Sequence, residues 1–514
     1  MKKSSAIEAA CKGKALIKMD KMLELSWRGN EKLGGEGSMA MGAKKKPITI
    51  SSGSSVVEID EEKMMPEHSG AANHGLMAEV SEVLRAKEKE SCNSWVVEME
   101  TARWKQKCIY RVPEFIKKMT RDAYQPQFVS LGPMHHGEPH LLPMEEHKRR
   151  AVLHVVNRSG KPLREYLAAI EEVAEELEAA YDTDLDEKWR GANRGRFVEM
   201  MVTDGCFLLE LMRIDEILVH GEVDDDYGAN DPIFSGRSFL DLWPIMRDDM
   251  IAMEIQVPLV VLQRLLAVQR GMHLFPEYYV SSLEINYKVA RLLDVACEAG
   301  MDKLGLHFLD IFHKSYCGIS LPHCEESDNK YGPRTPCAVE LSEAGIQFKT
   351  STTNSVHDVD FENSMLSMPL FKLNGSTETM LLNVMVFEWL HPDAKRDVRS
   401  YISFVDDIIE SENDVTLLRS KGIIENLTVS DKKVVEIFNT LTKLSRVPIR
   451  GSRLGHVQWK VNAHCKKRWN KWRASFVKTY LSNPWLFLSL VAAVILLIAT
   501  LLQTVYTILP LYKG

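Results

Sequence analysis

The chain has 514 residues, of which 45% are hydrophobic and 26% charged, proportions that exclude collagen, a pure coiled coil and wholesale disorder. The formal net charge of 64 − 71 = −7 is uneven: residues 450–514 hold ten Lys/Arg and no Asp or Glu, which leaves 54 − 71 = −17 for residues 1–449. An acidic body with a basic and then apolar end excludes nucleic acid as a partner by composition and points to the membrane lipid bilayer.

Taken in chain order, residues 1–90 read as a disordered low-complexity tail. Gly34–Ser38, the lysines Lys44, Lys45 and Lys46, and Ser51–Ser55 cannot build a core, and Met1 to Lys46 lacks the unbroken apolar run of an export signal. A helical body is predicted over 107–450. Val152, Leu153 and Val156 share a face of a helix over 142–158. Pro162 opens a second helix over LREYLAAIEEVAEELEAAY, with Ile170, Val173, Ala174 and Leu177 as its stripe.

A third helix runs from Arg194 to Arg213. Gly205 inside it predicts the close approach of another helix, with Cys206 and Phe207 in the core. Residues 238–268 are largely apolar, with breaks or kinks at Pro244 and Pro258. Further helices fit 280–300, 376–390, 394–412, 431–445 and 456–480. Strands are short: Ile109 to Val112, Ile346 to Lys349 and Leu366 to Leu373. Loops are read at 221–236 and 322–336.

The end of the chain carries the strongest signal. No charged residue occurs from Thr479 to Tyr512. As a helix, Trp485 to Leu509 measures about 37 Å at about 1.5 Å per residue, enough to cross a hydrocarbon core of roughly 30 Å. Lys460, Lys466, Lys467, Arg468, Lys471, Arg473 and Lys478 precede it and only Lys513 follows. The positive-inside rule therefore puts residues 1–484 in the cytosol, on the plasma membrane or an endomembrane, as in a tail-anchored protein. The segment 451–484 reads as a basic aromatic helix against the membrane. Trp469, Trp472, Phe476 and Tyr480 recur at helical spacing, so the predicted lipid contacts are Lys466, Lys467, Arg468, Trp469, Trp472, Arg473, Phe476, Lys478 and Trp485.

Chemistry is sparse. The nine cysteines are odd in number and irregularly spaced, which fits reduced thiols in a cytosol-facing body. No phosphate loop, zincin, nucleophile-elbow or EF-hand pattern occurs. His135, His136 and His140, with Glu138, Glu145 and Glu146, place imidazoles beside carboxylates, which suits zinc or a general base. The prolines and glycine around them spell a loop leading into a helix, so a structural junction is expected there. His313, Cys317, His323, Cys324 and Cys337 match no zinc knuckle. No catalytic residue, cofactor or metal ligand is assigned.

Several blocks resemble the plant-specific "domain of unknown function" family 247, the UPF0481 group. They are CIYRVPEFIKKMTRDAYQPQFVSLGPMHHG (108–137), PMEEHKRR (143–150), FVEMMVTDGCFLLELMR (197–213), AVELSEAGIQFK (338–349), DVRSYISFVDDIIESENDVTLLRSKGIIENL (397–427) and the terminal block with its apolar span. The resemblance covers about residues 107–514. The family's Leu-Glu-Asn-Gln-Ile-Pro-like run stands here as Met253-Glu254-Ile255-Gln256-Val257-Pro258, with Ile255 in place of Asn. The resemblance implies no activity, cofactor or catalytic residue. Links of some members to self-incompatibility in grasses imply signalling or recognition.

The expected fold is therefore mainly α, a large helical body with a few short strands, a disordered N-terminal tail and one C-terminal transmembrane helix. The expected function is protein interaction or signalling with unknown protein partners. The alternatives are a hydrolase or transferase using the His135/His136/His140 loop, and a lipid-binding protein. The enzyme reading requires His135, His136 or Glu145 to line a deep pocket.

Overall fold

A computed structural model of the chain describes residues 106–182, 185, 187–221, 226–272, 280–297, 301–318, 334–426, 429–445, 453–467, 473, 476, 479 and 484–508. All lie in the unit from Lys89 to Gly514; the other unit, Met1–Glu88, which holds nearly all of the predicted tail, is outside the described residues.

The described part is mainly helical. Leu142–Ser159 begins with a proline in its first turn and ends at Gly160, whose φ of 65° closes it. The single helix predicted after Pro162 is two, Leu163–Glu171 and Ala174–Ala179, with Val173 leaving helical geometry between them. The break lets Ala180 and Tyr181 reach the start of the body, where the N–H groups of Cys108 and Ile109 donate to the Ala180 carbonyl and Ile109 bridges Tyr181. The stripe Ile170, Val173, Ala174 and Leu177 is buried across the break. Periodicity had captured the face and not the turn.

Arg194–His220 continues seven residues past the predicted Arg213 and stops at Gly221. Its middle is buried on all sides, Val198 to Met212 with few gaps, so it is the central helix of the body. Pro244 sits inside Gly236–Ile251 without ending it, whereas Pro258 begins a separate helix, Leu259–Gln269. Ser282–Leu292, Thr377–Leu390, Asp397–Ile408, Asp431–Ser445 and Arg453–Lys466 fall inside or beside the predicted spans. Phe308–Cys317, Ala338–Glu343 and Glu412–Ser420 were not predicted.

Among the described residues, five short strands form two small sheets. β1 (Gln347–Thr350) pairs in parallel with β3 (Met365–Met368), and β2 (Asp360–Glu362) pairs with β3 antiparallel, so that Phe348 and Phe361 both face Leu366. β4 (Phe371–Leu373) pairs in parallel with β5 (Ile424–Asn426). The predicted strand Ile109 to Val112 contributes only the isolated bridge at Ile109. One continuous apolar cluster runs from Cys108 to Val461. The six described cysteines are free thiols.

Helix Pro484–Ile508 differs from the rest. Its segment Trp485–Tyr506 has a mean hydropathy of 2.8 and is 0% buried in the protein. It is long and apolar enough to cross a membrane.

Candidate functional site

The loop that carries the three histidines is held from below by one stretch of chain, residues 249–258. Three of its side chains are polar and buried, Asp249, Glu254 and Gln256. Buried polar groups persist only when their bonds are satisfied, and each of these is. Asp249 accepts the backbone N–H groups of Gln127, Phe128 and Val129 at 2.8, 2.7 and 2.8 Å. Burial nevertheless pushes its carboxyl up to about 6.

Glu254 accepts the N–H of Val112 at 2.7 Å, the Lys117 ammonium at 2.7 Å and the His135 ring Nε2 at 2.8 Å. Burial alone would raise its pKa, but the bonds to His135 and Lys117 outweigh burial and hold it below the ordinary value. Gln256 donates to the carbonyls of Met250 and Ala252 and accepts the Leu309 N–H at 3.0 Å. Its own carbonyl accepts the Tyr181 hydroxyl at 3.0 Å. Gly132, at φ +71°, passes so close that a Cβ there would sit 2.9 Å from both the Gln256 oxygen and the Tyr181 hydroxyl.

A second polar cluster lies beside the first. Lys148, which is 0% exposed, places its ammonium 2.7 Å from Asp204 Oδ1 and 2.6 Å from Glu145 Oε1. The other Asp204 oxygen accepts the Gly132 N–H at 2.8 Å, and the Ser130 hydroxyl donates to Glu145 at 3.0 Å. Burial pushes the Asp204 carboxyl up, and Lys148 offsets part of the rise. Asp204 comes from the central helix, one residue before Gly205, so the loop is tied to the middle of the core.

The three histidines do not converge. His135 bonds Glu254 through Nε2 and Glu138 through Nδ1, at 2.8 and 2.7 Å. Burial opposes its charged form, but the two carboxylates prevail and raise its pKa. His136 turns edge-on to Trp189, with Nδ1 3.9 Å from Glu145. His140 bonds the Pro126 carbonyl at 3.1 Å and is half exposed. Among the described residues, a cleft of about 340 Å³ is lined by Arg158, Glu210, Arg213 and Lys288, and another by Asp406, Thr442 and Lys443. Neither involves the histidine loop.

The other predicted cluster is rearranged. His313 and Cys317 lie one turn apart at the end of Phe308–Cys317, with His313 Nε2 3.4 Å from Cys317 Sγ. Their partner is Glu388, unnoticed in the sequence, whose Oε1 lies 2.9 Å from His313 Nε2. Cys337 is elsewhere, before Ala338–Glu343, and His323 and Cys324 lie outside the described residues. Lys148, Asp249, Glu254, Gln256 and Glu388 were all missed as site residues. The usable signal was a charged or amide side chain inside an apolar run, as in IAMEIQVPLVVL and MLLNVMVFEWL.

A family model described as a plant protein of unknown function, DUF247, matches residues 109–499. The chain belongs to this family. It is 30% identical over 439 residues to the UPF0481 protein At3g47200 of Arabidopsis thaliana, covering 80% of this chain and 89% of that protein. It is 29% identical over 170 residues to the putative UPF0481 protein At3g02645 of the same plant, covering 33% of this chain and 32% of that protein. No solved structure matches.

In this DUF247 chain Glu254 and Gln256 are the buried polar anchors of the run 253–258, and Ile255 between them is 1% exposed in the apolar core. Of the predicted membrane contacts, Lys466 and Lys467 are exposed at the end of Arg453–Lys466, and Phe476 and Trp485 are exposed as well. Arg473 is exposed too, with its guanidinium beside Gly345, where a Cβ would come within 2.7 Å of it. Arg468, Trp469, Trp472 and Lys478 lie outside the described residues.

Proposed function

We propose that this DUF247 protein is a single-pass membrane protein whose helical body faces the cytosol and acts by binding another protein, with its basic aromatic segment against the lipid. The observation that carries this reading is the helix Trp485–Tyr506, free of charged residues, with a mean hydropathy of 2.8 and 0% buried, preceded by a run of cations. An exposed apolar surface of that length in water would be an aggregation site, and the bilayer removes it. The cations mark the cytosolic side and attract anionic headgroups. Protein binding rather than chemistry is favoured because His135 is spent on Glu254 and Glu138, His140 bonds the Pro126 carbonyl, and backbone N–H groups of the loop are bound to Asp249 and Asp204.

The test is made in plant cells with the full chain tagged at its N-terminus. The expected result is a protein that resists alkaline extraction from microsomes while the tag is cut by protease added outside. Proximity labelling from the body should mark a reproducible set of proteins that residues 450–514 alone do not mark. Alkaline release, a protected tag, or labelling no different from that of the isolated span would each overturn the reading.

A further inference from the structure

We propose that His313 Nε2, Cys317 Sγ and a carboxylate oxygen of Glu388 form a zinc site. The positions i and i+4 of one helix put an imidazole and a thiol on one face, and Thr377–Leu390 brings Glu388 to it. All three side chains are buried, at 6, 7 and 3% exposure. The three ligand atoms lie within 4.8 Å of one another, with Nε2 to Oε1 at 2.9 Å and Nε2 to Sγ at 3.4 Å. Tetrahedral zinc, with bonds of about 2.0–2.3 Å, holds such ligands roughly 3.3–3.6 Å apart. The two distances from His313 Nε2 need to open by only a few tenths of an ångström.

Two further features suit a metal. The carboxylate is already aimed: the Val398 N–H donates to Oε1 at 2.8 Å and the Arg399 N–H to Oε2 at 2.9 Å, the kind of outer bonds that orient a ligating group. The edge of the Phe387 ring packs on the His313 ring, with centroids 5.6 Å apart. Charge is the second feature. Zinc with one thiolate, one carboxylate and a neutral imidazole sums to zero, which a buried site tolerates. Zinc takes the thiolate form, so binding expels the Cys317 thiol proton. One nitrogen, one sulfur and one oxygen form a borderline-soft set that favours zinc or cobalt over magnesium or calcium. Three protein ligands leave one tetrahedral position for water.

The test is a cobalt titration of the full chain purified in detergent, read by absorption, with zinc as competitor. The expected result is one cobalt per chain with a thiolate-to-cobalt charge-transfer band that zinc removes, and a melting temperature raised by zinc. Cys317→Ser should abolish the band and weaken binding roughly tenfold or more, while Cys297→Ser, outside the cluster, should keep both. No charge-transfer band in the parent, or a band that survives Cys317→Ser, would overturn the site. Cobalt bound without such a band would mean a sulfur-free site, such as the histidine loop, and would overturn it equally.

Discussion

Glu254 gathers donors from three separate places, the Val112 N–H, the Lys117 ammonium and the His135 ring, and so fixes the histidine loop to the start of the body. The pH dependence follows. His135 has a raised pKa in the folded protein, so its contact stabilises fully below its unfolded value, near 6.5, and that stability is lost as pH rises through the folded value. Glu254 has a lowered pKa, so its share is lost as pH falls below the ordinary carboxylate range. His135→Gln should therefore melt well below the parent at pH 6, and the gap should narrow at pH 9; a gap that is constant with pH would show that the ring is neutral throughout. Lys148 offers a sharper case, because Lys148→Met leaves Asp204 buried without its cation. Breaking such a pair costs roughly 3–5 kcal/mol. Adding Asp204→Asn should recover part of the loss in chemical denaturation, whereas independent effects would simply add. From the sequence, the histidine loop was legible as a junction, since Pro139, Pro143 and the first-turn glutamates are local signals. Its supports were not, because Asp249, Glu254 and Asp204 meet the loop only through tertiary packing.

The central helix shows what periodicity could and could not read. Gly205 was legible as a close approach, since glycine inside a helix needs a reason, and the reason is Leu259–Gln269: a Cβ on Gly205 would lie 2.4 Å from Leu265 Cδ1 and 2.7 Å from Val261 Cγ1. Leu265 Cδ1 is the end of a flexible side chain, but Val261 is β-branched and stiff, and both residues are 0% exposed. Gly205→Ala therefore sets this crowding against a helix-propensity gain of about 1 kcal/mol, and the crowding should leave a modest net loss of stability. Gly205→Leu cannot be accommodated so and should cost roughly 1–3 kcal/mol in denaturant unfolding. Equal stability of parent and Leu variant would mean that the two helices are not in contact. Asp431–Ser445 matches its predicted span. Leu142–Ser159 was found but its buried face was not: Leu153 is 61% exposed, and Met144, Lys148, Ala151 and Val155 are the buried residues, because Lys148 turns inward to Asp204 and Glu145. The turn at Glu172–Val173 was missed because a run of strong helix formers gives no local stop; the pull comes from Ala180 and Tyr181 pairing with residues 108 and 109. Phe308–Cys317 was missed because it is short and seven of its ten residues are buried, polar Asp310 and His313 among them, which blurs the split between polar and apolar faces that marks a helix.

The molecule as a whole joins a body with a single continuous core to an apolar helix that is 0% buried in it. A core complete without that helix should survive its removal: deletion of 485–514 is expected to move the chain from the membrane pellet to the soluble fraction with an unchanged cooperative melt. A truncated chain still in the pellet after a high-salt wash would assign the anchoring to the body or to the basic segment. Orientation can be read from glycan acceptors on both sides of the span. N-x-[ST] sequons occur at Asn157, Asn374 and Asn426. Asn157 is exposed, while the Asn374 side chain accepts bonds from Ser376 and Thr377 at 3.0 and 2.9 Å. An exposed acceptor on the lumenal side would be modified, so its state reports which side it occupies. With the cations of 460–478 held in the cytosol, glycosidase should leave the mobility of the parent chain unchanged. A fresh acceptor peptide fused beyond Gly514 should instead be glycosylated and shift. The reverse pattern, a glycosidase-sensitive parent with an unmodified fusion, would place the body in the lumen, where the contest between ten cations after residue 449 and the −17 body would have gone to something other than the positive flank.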